Sequence, residues 1–186
     1  VRKTKGTQKK SNERNERNER NETKKSATEL IKMLATGKIS SVELLELFLS
    51  RLDIVNPHIN AVSMVDRRYA RKRARKADAA YRRGELLGRL HGLPMSIKNL
   101  PEHDNKMEDD HELLFHILEN EGAVVFGRTN IPYYAQDVQT YHPKYGITNN
   151  PWDLRRTPGG SSGGSSAALA ACLNPIEIGS DIGGSI

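Results

Sequence analysis

The chain has 186 residues, of which 36% are hydrophobic and 28% are charged. This length fits one domain, which would bury roughly 70% of the surface of its unfolded chain. No apolar run approaches the roughly 20 residues of a membrane span, and no signal-peptide segment stands near the N-terminus. We therefore expect a soluble globular protein without a membrane span.

The net charge of +6 is concentrated at the N-terminus. Residues 1–25 contain ten Lys or Arg and four Glu, and the two signs balance in the remainder. This segment repeats Asn-Glu-Arg every three residues, a period that matches neither a packed helix nor a strand. We predict a disordered, basic, low-complexity tail over residues 1–25. A nucleic-acid partner is not expected, because the interleaved Glu residues weaken the positive field and no aromatic residue accompanies them.

The Cys and His residues point to neither a disulfide nor a metal. Cys172 is the single cysteine, which excludes an intrachain disulfide and favours a reducing, cytoplasmic location. The six histidines do not have the spacing of metal ligands, so we expect no metal and no other cofactor.

Three helices are predicted in the first half. Ser-x-x-Glu capping boxes at Ser26–Glu29 and Ser40–Glu43 begin the first two, which should end at Gly37 and before Pro57. A third, highly basic helix is expected from about Asp66 to Arg83, with its charges in solvent, although a nucleic-acid-binding helix would share this composition. Its packed stripe is predicted to consist of Tyr69, Ala70, Ala74, Ala77 and Tyr81.

Strands and helices are predicted to alternate in the second half. The expected elements are a strand at Leu93–Ile97, a helix capped by Asp110 and ending near Gly122, a strand at Ala123–Gly127, a helix at Ser166–Leu173 and a strand at Pro175–Gly179. This alternation predicts an α/β fold around a largely parallel sheet flanked by helices, with a helical lead-in.

Two clusters of Ser and Gly, Gly159–Ser166 and Gly179–Ser185, point to a site formed by the backbone. Ordering glycine costs backbone entropy and serine buries little apolar surface, so such clusters contribute little to a hydrophobic core. Neither phosphate-loop pattern is present. A G-x-S-x-G pattern occurs at Gly160–Gly164, but no predicted strand precedes it and no His follows His142, so a nucleophile elbow is excluded.

A serine nucleophile activated by a lysine is the remaining interpretation. A serine hydroxyl needs a base, and a neutral lysine can serve if burial lowers its pKa from about 10.4. Lys98 ends a predicted apolar strand rather than lying on a charged face. Gly183 and Gly184, before Ser185, would let the backbone direct N–H groups at an oxyanion.

Four segments of the chain resemble the amidase signature family of serine hydrolases. They are GLPMSIKN, GAVVFGRTNIP, YGITNNPWDLRRTPGGSSGGSSAALAA and PIEIGSDIGGSI. The similarity is closer to general acylamidases than to fatty acid amide hydrolase. It covers about residues 26–186 and implies the N-terminal part of an amidase signature domain, with a mixed, largely parallel sheet.

The resemblance implies a Ser-Ser-Lys triad that hydrolyses small-molecule amides through an acyl-enzyme. Lys98 would be the base, Ser161 the relay after a cis Gly160–Ser161 peptide, and Ser185 the nucleophile. Ser162 would help to hold the lysine, and Asp181 would support the nucleophile loop. The oxyanion hole would be formed by the N–H groups of Ile182, Gly183, Gly184 and Ser185.

The chain departs from the family pattern in two places. The segment after Lys98 is shorter and more charged than in the family, and the chain ends one residue after Ser185, whereas the family's domain continues. We therefore expect an N-terminal fragment with little or no activity, whose exposed sheet edges favour a homo-oligomer. Trp152 and Tyr145 are expected to pack under the Ser/Gly motif.

Two other functions are compatible with these residues. One is a catalytically dead, amidase-derived interaction module that binds nucleic acid or acidic partners through its tail. The other is amidation of misacylated tRNA, which would require partner subunits and ATP.

Overall fold

The computed structural model describes residues 22–99 and 108–186, so the predicted tail lies outside the described residues except for 22–25. Helices and short strands alternate along this part of the chain. The elements are α1 Ala27–Ala35, α2 Ser41–Ile59, β1 Val62–Val65, α3 Arg67–Arg82, β2 Pro94–Lys98, α4 Glu108–Asn120, β3 Val124–Thr129, a 3-10 turn at Tyr133–Ala135, β4 Tyr141–His142, β5 Gly146–Ile147 and α5 Gly163–Ala170.

Both predicted capping boxes are present. At the start of α1 the Glu29 N–H donates to the Ser26 hydroxyl at 3.3 Å, and the Ser26 N–H donates to the Glu29 carboxylate at 2.9 Å. Ser40 and Glu43 form the same reciprocal pair at the start of α2. These local signals satisfy the N–H groups that each helix start leaves without an intrahelical partner.

The end of α2 differs from the prediction. The helix continues through Pro57 to Ile59 instead of stopping before the proline. Pro57 has no N–H to donate to the preceding turn, so the helix loses one hydrogen bond there, and only two helical residues follow it. The turn still closes through the Asn60 N–H, which donates to the Asn56 carbonyl at 2.7 Å.

The basic helix α3 lies where it was predicted. Its buried stripe consists of Ala70, Ala74, Ala77 and Ala80, whereas Tyr81 is 38% exposed and does not belong to it. Basic side chains on the other faces pair with carboxylates: Arg71 with Glu46 at 2.6 Å and Arg73 with Glu119 at 3.3 Å. The pairing supports a charged outer face rather than a nucleic-acid-binding helix.

The main sheet is mixed, in the order β1-β3-β2, which confirms the α/β class. β2 runs parallel to β3 with Lys98 opposite Thr129, and β1 runs antiparallel to β3. β1 was not predicted, because four residues are too few for a clear alternation. Pro175–Gly179 was wrongly predicted as a strand: it lies beside β2, where the Lys98 N–H donates to the Ile178 carbonyl at 3.0 Å, but it forms no ladder.

The two faces of β2 have opposite character. Met95 and Ile97 pack with Leu118 of α4 in an apolar cluster. Ser96 and Lys98 alternate with them and therefore face α5. Both are almost fully buried, so the α5 face carries polar groups inside the fold.

Two helix starts are corrected by the structure. The described part of α4 already contains Asp110, so this residue is not its N-cap. The small-residue helix α5 begins at Gly163 rather than Ser166, with Ser162 as its N-cap. Gly163 and Gly164 belong to its first turn, where both lie so close to other parts of the chain that a side chain would not fit.

Gly164 sets how closely α5 approaches the sheet. A Cβ at this position would lie 2.5 Å from the Asn130 backbone nitrogen and would also collide with the Asn130 carbonyl oxygen. Asn130 directly follows β3, so the first turn of α5 rests on the end of that strand. Only glycine permits this contact.

We predict that Gly164→Ala destabilises the fold by about 1–3 kcal/mol, because the added methyl must displace backbone rather than a mobile side chain. Gly183→Ala is the matched control, since nothing lies within 4 Å of a Cβ there. Urea unfolding should show a control within about 0.5 kcal/mol of the wild type. Equal losses in both variants would contradict the close approach.

We also predict that Asp78→Ala destabilises the fold by about 1–2 kcal/mol. The Asp78 carboxylate accepts the N–H groups of Ser41 at 2.6 Å and Val42 at 3.2 Å, both at the start of α2. Asp53→Ala serves as the control, because Asp53 pairs with Arg67 in a more exposed position. A loss for Asp53→Ala as large as that for Asp78→Ala in thermal unfolding would argue against the capping role.

Candidate active site

The Lys98 amine lies at the end of β2, enclosed between the sheet and the start of α5. Only 2% of the residue is exposed. Its Nζ donates to Ser161 Oγ at 2.8 Å, to the Ser180 carbonyl at 3.0 Å and to Ser180 Oγ at 2.9 Å. These three acceptors match the three donors of an ammonium group, and none of them is a carboxylate.

Burial makes the neutral amine easier to reach than in an ordinary lysine. Burial lowers the pKa of Lys98 to about 8, and the charge of Asp181 partly opposes the shift. Roughly one tenth of such an amine is neutral at pH 7, against fewer than one in a thousand for an ordinary lysine. Lys98 therefore has the properties of a base that works near neutral pH.

Ser161 is held by the loop before α5. The Gly160–Ser161 peptide is cis, as predicted. A Cβ on Gly160 would collide with the Asp137 carbonyl oxygen, and the Thr140 hydroxyl donates to the Gly159 carbonyl at 2.7 Å. The chain leading into the cis bond is thus packed against residues 137–140.

Ser162 connects the two Ser/Gly clusters. Its N–H donates to the Ser185 carbonyl at 3.1 Å, and its hydroxyl donates to the Ser180 carbonyl at 3.1 Å. The same Ser180 carbonyl accepts from Lys98. Ser162 and the lysine therefore share an acceptor, without a hydrogen bond between them in the described part of the chain.

Ser185 lies close to this cluster, but its hydroxyl is not connected to it. Its carbonyl is fixed by Ser162, whereas its side chain makes no hydrogen bond to residues 22–99 or 108–186. The structure thus joins two of the three predicted triad residues, Lys98 and Ser161. It places Ser185 beside the residue that follows Ser161.

The predicted oxyanion loop binds its own carboxylate. Hydrogen bonds from the backbone N–H groups of Ser185, Ile186 and Gly184 lower the pKa of Asp181. The Gly184 N–H lies 2.6 Å from Asp181 Oδ1, whereas Ile182 and Gly183 are exposed. A loop whose amides converge on one carboxylate has the donor arrangement that can stabilise an oxyanion.

Several polar residues around Lys98 were not predicted. Thr129 and Ser165 link β3 to α5 through their hydroxyls at 2.8 Å. The others are Ser96, Asn174, Glu177 and Ser180. Ser96 was detectable by its alternation with Lys98 on one face of β2, but nothing in the sequence connects Asn174 or Glu177 with that face.

The prediction for Trp152 is wrong, because this residue is 85% exposed and does not pack under the Ser/Gly motif. Tyr145 is half-buried, and its ring packs at 4.8 Å from that of His142. Its carbonyl accepts from the Asn60 side chain at 2.7 Å. Tyr145 therefore anchors the β4–β5 hairpin rather than the Ser/Gly loop.

Residues 22–99 and 108–186 contain neither a metal-ligand cluster nor a membrane-spanning helix. No three His, Cys, Asp or Glu side chains are grouped there as metal ligands would be. None of the helices described there has the length and apolar character needed to cross a bilayer.

The comparisons with known proteins agree with one another. The family model described as Amidase matches residues 43–186. Similar proteins include the A-type subunits of the glutamyl-tRNA(Gln) amidotransferases of Streptomyces avermitilis (36% identical over 180 residues) and Azoarcus sp. (42% over 173 residues). The indoleacetamide hydrolase of Bradyrhizobium diazoefficiens is 37% identical over 173 residues. Each match covers 87% of this chain and 33–35% of the relative, so the chain spans about a third of their length.

Solved structures give the same result. Fatty acid amide hydrolase matches with a TM-score of 0.80 and 32% identity over 90% of this chain and 32% of its own. The peptide amidase PAM, solved with chymostatin, matches with a TM-score of 0.77 and 27% identity over 88% of this chain and 37% of its own. From its sequence match and its fold, the chain belongs to the amidase signature family.

Proposed function

We propose that the chain carries the catalytic groups of an amide hydrolase, with Lys98 as base, Ser161 as relay and Ser185 as nucleophile. The observation that carries the proposal is the 2.8 Å contact between the enclosed Lys98 amine and the Ser161 hydroxyl. A lysine with a lowered pKa, bonded to a serine, is a base that can activate a hydroxyl nucleophile. The substrate class is a small-molecule carboxylic amide.

The first half of the reaction forms an acyl-enzyme. Neutral Lys98 takes the proton of Ser161, and Ser161 takes the proton of Ser185. The Ser185 oxygen attacks the amide carbonyl carbon, and backbone N–H groups of residues 182–185 stabilise the oxyanion. Those of Gly184 and Ser185, which donate to Asp181 in the free chain, must turn from that carboxylate to the oxyanion in this step. Ser185 must move within hydrogen-bonding reach of Ser161 for this step, as catalytic contacts often do when substrate binds.

The second half releases the acid. The tetrahedral intermediate breaks its C–N bond, and the departing nitrogen receives a proton from Lys98 through Ser161. Water then attacks the acyl carbon of the Ser185 ester and gives up its proton to Lys98 through Ser161. The bond between the acyl carbon and Ser185 Oγ breaks, and that oxygen takes the proton back along the same route. The products are a carboxylic acid and ammonia or an amine, and the enzyme returns to its starting protonation state.

Fluorophosphonate labelling of the 186-residue chain tests the nucleophile. We predict one adduct at Ser185, detected by intact mass and peptide mapping, because the reagent reports an activated serine. Ser185→Ala should abolish the adduct. Ser166→Ala, which changes an exposed serine of α5, should keep it. No adduct, or an adduct that persists in Ser185→Ala, would contradict the assignment and favour the catalytically dead interaction module.

The pH dependence of labelling tests the base. Because the pKa of Lys98 is lowered to about 8 and only the neutral amine accepts a proton, the rate should rise with pH and level off near that value. We expect about a tenfold rise per pH unit between pH 5 and 7, followed by a plateau. Lys98→Arg should remove the pH dependence and most of the rate, since Arg does not deprotonate. A rate that keeps rising to pH 10 would point to an ordinary, exposed lysine.

A second candidate is the amidation of misacylated tRNA. It is supported by the two relatives, at 36% and 42% identity, whose names describe part of an amidotransferase. The same triad would then release ammonia for a partner protein. Amide turnover that requires added partner subunits and ATP would favour this candidate, whereas turnover by the chain alone would favour the simple hydrolase.

A further inference from the structure

A second titratable group lies buried on the same face of the sheet as Lys98. Glu177 belongs to residues 174–180, which follow α5 and run beside β2 (the 174–180 segment). Its Oε2 accepts from the Ser96 hydroxyl at 2.5 Å and from the Asn174 amide nitrogen. The residue as a whole is half-buried, and its second oxygen, Oε1, is fully enclosed.

Two enclosed oxygens at this position have no hydrogen-bond partner within the described residues. They are Glu177 Oε1 and Asn174 Oδ1. They belong to two planar groups that already share the bond from Asn174 Nδ2 to Glu177 Oε2. A protonated carboxyl supplies a donor beside an enclosed amide oxygen that has none, whereas an ionised carboxyl supplies only acceptors, which is costly in an enclosed position.

No cation within the described residues compensates a charge on Glu177. On β2 the Lys98 amine is turned to Ser161 and Ser180. On β3 Arg128 lies over the Phe115 ring, on the α4 side of the sheet. Helix α5 contains no titratable side chain, and the nearby Asp181 is itself an anion. Accordingly, burial raises the pKa of Glu177 to about 7, against the smaller opposing effect of hydrogen bonds from Ser96, Asn174, the Ile178 backbone N–H and Thr129.

We propose that Glu177 is a positioning residue whose neutral carboxyl ties the 174–180 segment to β2, and whose ionisation loosens it. The segment presents two oxygen acceptors to the Lys98 amine, both from Ser180. It also leads directly into the loop that carries Ser185. The consequence for catalysis rests on the proposed function, whereas the anchoring itself does not.

The stability of the fold gives the first test. An acid with a raised native pKa contributes stability that is fully present below its unfolded value, about 4.3, and is lost as pH rises through its native value. Glu177→Gln keeps a neutral donor at every pH. The urea midpoint of the wild type should therefore fall relative to this variant between pH 4.5 and 8. Glu85→Gln, at an exposed carboxylate paired with Arg83, is the control and should show no such trend.

Hydrogen exchange measures the anchoring without requiring activity. The Lys98 N–H donates to the Ile178 carbonyl, so its protection reports whether the segment stays on β2. The ratio of its exchange rates in the wild type and Glu177→Gln should rise from pH 4.5 onward, by about tenfold between pH 6 and pH 8. The proposal is overturned if neither the ratio of exchange rates nor the difference in urea midpoint between the wild type and Glu177→Gln changes with pH.

Labelling of Ser185 extends the test to the site. The labelling rate of Glu177→Gln relative to the wild type should rise above pH 7, because the ionised carboxyl releases the segment in a growing fraction of wild-type molecules. A labelling ratio that stays flat at a pH where the wild-type Lys98 N–H has lost its protection would overturn the positioning of Lys98 by the segment. If no variant is labelled, the proposed function fails, while exchange and unfolding still decide the role of Glu177.

Discussion

The buried Lys98 amine determines how the neighbouring segments of the chain are arranged, because they must supply its hydrogen-bond acceptors. An ammonium group taken out of water costs several kcal/mol, so it must either lose its proton or find acceptors for all its donors. Here the acceptors come from Ser161 before α5 and from Ser180 in the 174–180 segment, while β2 carries the lysine itself. Three separate parts of the chain thus converge on one nitrogen atom.

The strand β2 serves both the core and the site because its residues alternate. Met95 and Ile97 belong to the apolar layer under α4, whereas Ser96 and Lys98 belong to a polar layer under α5. Enclosed polar groups are stabilising only when each finds a partner, since the low dielectric strengthens satisfied bonds and penalises the rest. This explains why the polar layer contains so many hydroxyls, which can both donate and accept.

Local features of the fold were predictable from sequence, and its long-range contacts were not. The capping boxes at Ser26 and Ser40 and the alanine face of α3 were identified because their signals lie within one or two helical turns. Lys98 and Ser161 were paired only through the family resemblance. Ser180 and Glu177 were missed because their roles depend on how the 174–180 segment lies against β2, and Trp152 because its exposure depends on tertiary packing.

The composition of α5 limits which positions of this fold can be substituted. Its eight residues are Gly, Ser, Ala and one Leu, and its first turn touches the backbone of Asn130 directly. A longer side chain on the inner face would lift the helix and separate Ser161 from Lys98, so the helix leaves little room for substitution. Changes that keep the helix in place must therefore lie in the loops around the strand ends, where the chain can change length and shape without moving it.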